Sequence, residues 1–266
     1  IKCYQEEQLA KALAYLQANS KFYQQMFEEH HIDINQIKKI EDLQQIPVTT
    51  KTDLQLHNDD FICVDREEII DYVTTSGTLG DPVTFVLTSE DLDRLSYNEY
   101  LSFTTTGCTK QDVLQLMTTI DRRFMAGLAY YLGARELGMG VARVGNGIPE
   151  LQWDTIHRIH PTCGMVVPSF LIKLIEFAER NQIDHNTCSM KKCVCIGEAL
   201  RNPDFTLNTL GQRISEKWPS LQLYSTYAST EMQSSFTECS EFHGGHLQPE
   251  LLSLIHISEP TRRTPI

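Results

Sequence analysis

Residues 163–196 read CGMVVPSFLIKLIEFAERNQIDHNTCSMKKCVCI. The stretch opens on an apolar run, Cys163–Val167, turns at Pro168 into helical periodicity over Phe170–Glu179, and closes on a second apolar run, Cys193–Ile196. Strand, helix and strand in this order form a βαβ crossover, which lays two strands parallel with a helix across one face. The same alternation continues on both sides. Upstream, strands are predicted at Val113–Met117 and Val141–Val144, with helices over Phe124–Leu137 and Leu151–Ile159. Downstream, Phe205–Lys217 reads as a helix and Leu221–Tyr224 as a strand. The fold class is therefore α/β, with layered, parallel-rich sheets covered by helices on both faces.

Further upstream the pattern changes. Thr88 and Asp91 have capping-box spacing and start a helix that runs to about Phe103. Residues 5–18 carry Leu9, Ala12, Leu13 and Leu16 at helical intervals, and Thr49 or Thr50 caps a turn in which Asp53 is correctly signed. The reading is a helical lead-in over 1–65, an α/β core over 66–252 and a tail over 253–266.

Composition narrows the function classes. With 35 Asp plus Glu against 23 Lys plus Arg, the net charge of -12 argues against nucleic acid, since the only dense basic positions are short pairs such as Arg122–Arg123. An anionic ligand then needs a local device, from backbone N–H groups or a metal. The 8 Cys show no CxxC and no disulfide framework, which predicts a reducing, cytoplasmic setting. Apolar runs are strand-sized and residues 1–20 lack an export pattern, so no membrane partner is expected.

Three segments carry chemistry. Between two strand candidates, Thr74–Thr75–Ser76–Gly77–Thr78–Leu79–Gly80–Asp81–Pro82 crowds hydroxyls and glycines into a loop whose N–H groups can cradle phosphate. Composition alone serves a hairpin turn equally well, and the Walker spacing is absent. Tyr224–Ser225–Thr226–Tyr227–Ala228–Ser229–Thr230–Glu231 follows a strand and is read as its exit loop, where open α/β sheets bind ligands. Taken alone, Glu231 reads first as a surface carboxylate and second as a Mg²⁺ ligand. Cys195–Ile196–Gly197–Glu198–Ala199 is another strand exit, at which Gly197 would let a flat purine approach and Glu198 would accept a hydrogen bond. Cys193 and Cys195 read as ordinary buried strand cysteines. No Gly-x-Ser-x-Gly elbow, His-Glu-x-x-His helix or dinucleotide fingerprint occurs.

At these segments the chain resembles the phenylacetate-CoA ligase and coenzyme F390 synthetase-like branch of the adenylate-forming (AMP-binding) enzymes. Thr75–Pro82 looks like the phosphate loop, Gly197–Leu200 like the adenine-side motif, and Tyr227–Glu231 like the tyrosine-to-glutamate motif, over a resemblance spanning about residues 5–252. The resemblance implies that Thr75, Ser76, Gly77, Thr78 and Gly80 hold the ATP β- and γ-phosphates. It further implies that Gly197, Glu198, Tyr224, Tyr227, Ala228 and Ser229 line the adenine side, that Thr230 faces the α-phosphate, and that Glu231 binds Mg²⁺. The implied activity is ATP-dependent activation of a small carboxylic acid, of aryl-acetate type, to an acyl-adenylate, followed by transfer to coenzyme A.

Departures from the family pattern are Asp81 where a lysine is common, Leu79 for Thr or Ser, and Ala228 for Gly. They keep open a protein that binds nucleotide without turnover, and an enzyme that loads a protein thiol in place of coenzyme A is a further alternative. Cys239, His243 and His246 form a loose set that the resemblance marks as candidate Zn²⁺ ligands, with a His-rich surface turn as the simpler reading. A homodimer stays open as the assembly state. Residues 253–266 resemble translated adapter read-through, so the expectation is an incomplete large N-terminal domain whose natural course departs after Leu252.

Overall fold

A computed structural model describes residues 1–75 and 81–253. The described residues divide into two compact units, one formed by residues 1–68, 81–83 and 249–253, the other by 69–75 and 84–248.

In the first unit, helix α1 (Lys2–Asn19) ends at Ser20, whose side chain accepts from the Tyr23 N–H and starts α2 (Lys21–Glu29). Sequence periodicity does not extend across this cap, so α2 reads as loop from sequence alone. Leu13, Phe27 and Ile37 are buried together, with Leu9 and Leu43 against them. Helix α3 (Lys51–Leu56) selects Thr50 rather than Thr49 as its cap. Asp53 accepts from the Thr50 N–H at 2.7 Å while Thr50 Oγ1 accepts from the Asp53 N–H at 3.2 Å, which satisfies two otherwise orphaned donors.

The second unit opens with the antiparallel pair β1 (Asp71–Thr74) and β2 (Thr84–Leu87). Thr88 and Asp91 then form the expected capping box at the start of α4 (Ser89–Thr105). From there strands and helices alternate: β3 (Val113–Leu116), α5 (Met125–Leu137), β4 (Gly140–Arg143), α6 (Pro149–Ile159), β5 (Cys163–Val166), α7 (Pro168–Arg180), β6 (Lys192–Cys195), α8 (Thr209–Lys217) and β7 (Gln222–Ser229). Two more strands, β8 (Ser234–Glu238) and β9 (Gly245–His246), complete a seven-stranded sheet of order β4-β3-β5-β6-β7-β8-β9. The five strands from β4 to β7 are parallel, and β8 and β9 are antiparallel to their neighbours.

Both faces of the parallel part are buried, as its near-continuous apolar strands require. Period-two alternation sends Leu114, Leu116, Met165 and Val194 to the face covered by α4 and α5, with Phe103 and Tyr130. Met117, Val166, Cys193 and Cys195 go to the opposite face, under α6, α7 and α8. There the Trp153 and Trp218 rings stack at 5.6 Å, and Trp153 Nε1 donates to the Leu174 carbonyl at 3.0 Å. The predicted helix over 205–217 starts later, at Thr209, because Asn208 Oδ1 takes the Gly211 N–H as an N-cap. Residues 201–207 instead form a loop closed by an Arg201–Leu207 bridge. Among the described residues, no helix is long and apolar enough to cross a membrane.

Candidate active site

Parallel strands point their carboxyl ends the same way, so the loops after β3, β5 and β6 gather at one edge of the sheet, and β7 overshoots them. Strand β7 pairs with β6 only over Gln222–Ser225, then pairs with β8 over Thr226–Ser229. The segment read from sequence as an exit loop is thus the second half of a long strand, because β8 supplies a partner that local sequence does not announce. Its first half is core. Tyr224 is 3% exposed, packs 5.4 Å from the Phe242 ring and donates its hydroxyl to Gln222 Oε1 at 3.1 Å. Beyond it, Tyr227 is 66% exposed with its ring nearly parallel to Phe236 at 6.2 Å, and Ala228 is also exposed.

The strand ends in a turn over Thr230–Gln233 that lifts Glu231 into the open. Ser229 holds the turn twice, its carbonyl accepting from the Gln233 N–H at 3.2 Å and its hydroxyl from the Met232 N–H at 3.3 Å. Thr230 is half-buried beside the exposed Glu231.

The loop after β6 turns at Gly197, whose φ of +78° is one that side chains with a Cβ rarely adopt. Glu198 is exposed, yet its carboxylate accepts the Ser169 N–H at 2.7 Å in the first turn of α7. A carboxylate at a helix N-terminus is favoured by the exposed N–H groups and the dipole. Glu198 therefore joins the loop after β6 to the start of α7.

A second clamp was not legible in the sequence. Arg201 Nε donates to Glu238 Oε1 at 2.6 Å, and Glu238 Oε2 accepts the Ser225 N–H at 2.9 Å. The guanidinium also lies 4.7 Å over the Phe242 ring. This pair, a half-buried arginine on a buried glutamate, ties the post-β6 loop to the point where β7 changes partner. Nothing in local spacing marks it, since its members lie 37 positions apart.

At the other side of the edge, the Thr74 N–H donates to the Arg123 carbonyl at 3.0 Å, which sets the end of β1 against the loop after β3. Thr75 is half-buried there. Ser76, Gly77, Thr78, Leu79 and Gly80 lie outside the described residues, so the phosphate-loop assignment rests on sequence.

The candidate zinc set does not assemble. Cys239 Sγ accepts from the Glu241 N–H at 3.5 Å, His243 meets the edge of Phe205 at 5.8 Å, and His246 pairs with Thr237 in the β8–β9 ladder. Among the described residues no group of three or more His, Cys, Asp or Glu side chains is placed to hold a metal. Of the three, only His246 lies on β9.

The model of the AMP-binding enzyme family matches residues 4–252. The chain belongs to this family. A phenylacetate-coenzyme A ligase of Thermus thermophilus is 29% identical over 195 residues, covering 73% of this chain and 44% of that protein. One from Escherichia coli is 28% identical over 193 residues, covering 72% of this chain and 44% of that protein. The chain thus spans less than half the length of these curated relatives. Among solved structures, an open conformation of 2-hydroxyisobutyryl-CoA ligase in complex with 2-HIB-AMP and CoA superimposes with a TM-score of 0.75 at 22% identity, covering 86% of this chain and 53% of that one. That likeness supports the fold. Membership of the AMP-binding family rests on the family model.

Proposed function

We propose that this chain carries the nucleotide-handling core of an enzyme that activates a carboxylic acid as its acyl-adenylate and passes the acyl group to coenzyme A. The observation that carries the reading is the β7–β8 turn, which offers an exposed Glu231 and an adjacent Thr230 hydroxyl at the carboxyl edge of a parallel sheet in an AMP-binding family member. The similarity to phenylacetate-CoA ligases favours an aryl-acetate-like acid and coenzyme A over a carrier-protein thiol.

The first step needs little covalent help. A substrate carboxylate is already ionised at neutral pH; its oxygen bonds to the α-phosphorus of ATP as the bond to pyrophosphate breaks. Charge then builds on the phosphoryl oxygens, where the Thr230 hydroxyl is assigned as a donor. In the second step the coenzyme A thiolate bonds to the acyl carbon and AMP leaves.

A chain of net charge -12 has to gather polyphosphate locally. One exposed hard carboxylate, with no cluster of ligands around it among the described residues, suits Mg²⁺ that arrives with ATP and keeps phosphate and water as its other ligands. Glu231 would hold the ion, which when bound neutralises phosphate charge. Thr75, Ser76, Gly77, Thr78 and Gly80 are assigned to the phosphates. Gly197, Glu198, Tyr227, Ala228 and Ser229 are assigned to the adenine side, with Tyr224 as the core beneath it.

The test is ATP–pyrophosphate exchange by the intact enzyme with a panel of carboxylic acids that includes phenylacetate. Glu231→Gln is expected to lower exchange roughly 100-fold and to raise the Mg²⁺ requirement, a loss of the size seen when one charge-stabilising group is removed. Unchanged exchange with unchanged Mg²⁺ dependence would refute the assignment. Acid-dependent exchange without acyl-CoA release would point to a protein thiol, and no exchange with any acid to a binding protein without turnover.

A further inference from the structure

Asn98 sits in the middle of α4, where asparagine is a poor helix former, and is 1% exposed. Its side chain uses all four hydrogen-bonding positions. The carbonyl oxygen accepts from Ser234 Oγ at 3.0 Å and from the Ser235 N–H at 3.2 Å, while the amide donates to Glu99 Oε1 at 2.8 Å and Ser235 Oγ at 2.9 Å. Ser102 Oγ meets Ser235 Oγ at 2.8 Å, and Arg94 of the same helix donates to the Gln233 carbonyl at 3.4 Å.

A plain packing contact has no need of this arrangement. Burying a polar amide costs free energy that an apolar residue would not, and full hydrogen bonding only offsets it. What the network adds is direction. Ser234 directly follows the Thr230–Gln233 turn, and Gln233 has a φ of +46°, a left-handed conformation that persists in a non-glycine residue only where its surroundings hold it.

We propose that Asn98 is a positioning residue for the nucleotide-handling turn, fixing Thr230 and Glu231 through Ser234 and Ser235. The inference rests on the reading of that turn as the element that meets MgATP. Asn98 touches no reacting atom; it sets where the turn stands.

Asn98→Asp tests this through its pH profile. Protonated, the introduced carboxyl keeps one acceptor and one donor and imitates the amide; ionised, it loses both donors and puts charge beside Glu99. The titratable and charged groups around it are Glu99 and Arg94 on α4 and Tyr130 on α5, which lies beside Glu99.

In the intact enzyme, Asn98→Asp is expected to raise the KM for MgATP roughly tenfold at pH 8.5, the cost of one or two buried hydrogen bonds, with recovery toward wild type at pH 6. The KM for coenzyme A should stay within twofold. Ser234→Ala, a smaller change, should raise the MgATP KM in the same direction, and it carries the test if the position-98 variant does not fold.

A general loss, with kcat and the melting temperature falling and every KM rising in parallel and without recovery at pH 6, would reduce Asn98 to a structural residue and overturn the proposal. Wild-type behaviour at both pH values would do the same. Glu231→Gln, assayed alongside, separates the two levels: an impaired Glu231 variant with a silent Asn98 variant defeats only the positioning role, whereas a silent Glu231 variant defeats the reading of the turn itself.

Discussion

The parallel middle of the seven-stranded sheet and its antiparallel end around β8 are buried to similar depth by opposite means. Around β3, β5 and β6 the interior is Trp153, Leu171, Leu174, Trp218 and the apolar strand residues themselves. Around β8 it is Ser234, Ser235, Thr237 and Glu238, all buried and all polar, met by Asn98, Glu99 and Ser102 of α4. Apolar burial is non-directional and tolerates repacking, so it secures the fold without fixing any one atom. A saturated polar cluster does the reverse: it yields little net stability but admits few geometries. The end of the molecule that presents the turn is built in the second way.

The largest expected effect lies in the apolar middle. Trp153→Ala removes an indole stacked on Trp218 together with its hydrogen bond to the Leu174 carbonyl, and should destabilise by about 4 kcal/mol in urea unfolding. MgATP affinity, measured where the variant is still folded, should change little. A variant that stays stable yet binds MgATP poorly would break the division of labour between the two regions.

An intermediate effect is expected at the junction. Arg201→Met leaves Glu238 buried without its cation, and breaking a buried pair from one side costs about 3 kcal/mol. Because Glu238 also takes the Ser225 N–H, both stability and MgATP affinity should fall. Loss of stability alone would place the clamp with the apolar middle.

The same contrast explains what the sequence made legible. Strands from β3 to β6 and the helices between them follow from periodicity because each is specified by its own apolar face. Thr88–Asp91 and Thr50–Asp53 were readable because a capping box is local. Strand β8 was not, since Ser-Ser-Phe-Thr-Glu carries no apolar alternation and becomes a strand through β7 and α4, more than a hundred positions away in the case of α4. For that reason Ser225–Ser229 reads as loop from sequence and is strand in the fold. Of the candidate site, the motif segments were visible but their supports were not: Arg201–Glu238, Glu198 on the Ser169 N–H and the Asn98 network all join distant segments. The zinc expectation is not supported, because Cys239, His243 and His246 each meet other partners and form no metal-holding group among the described residues.

The smallest expected effect is also the most selective for the polar end, and it concerns Glu99. This carboxyl is buried between α4 and α5, where Gly133 allows an approach so close that any Cβ there would meet Glu99 Cβ at 2.4 Å. Asn98 satisfies one of its oxygens, while the other and the Tyr130 hydroxyl have no hydrogen-bond partner among the described residues. Burial pushes its pKa up from 4.5 to about 7, against the opposing pull of Ser102, Asn98 and Ser235. A carboxyl whose folded pKa lies above its unfolded one favours folding most below the unfolded value, and that contribution is lost as pH rises through the folded value. Glu99 should therefore be compatible with the fold at pH 4.5 and increasingly unfavourable up to pH 7 and beyond, where the folded state buries its charge. Glu99→Gln keeps the shape, removes the charge and offers an amide donor toward Tyr130. Urea unfolding of the pair of proteins across pH should show the variant gaining roughly 1–3 kcal/mol over wild type at pH 8, with the difference vanishing near pH 4.5. A difference independent of pH would mean that Glu99 does not titrate in this range, and a variant less stable at pH 8 would mean that its negative charge is held by the polar cluster rather than merely tolerated.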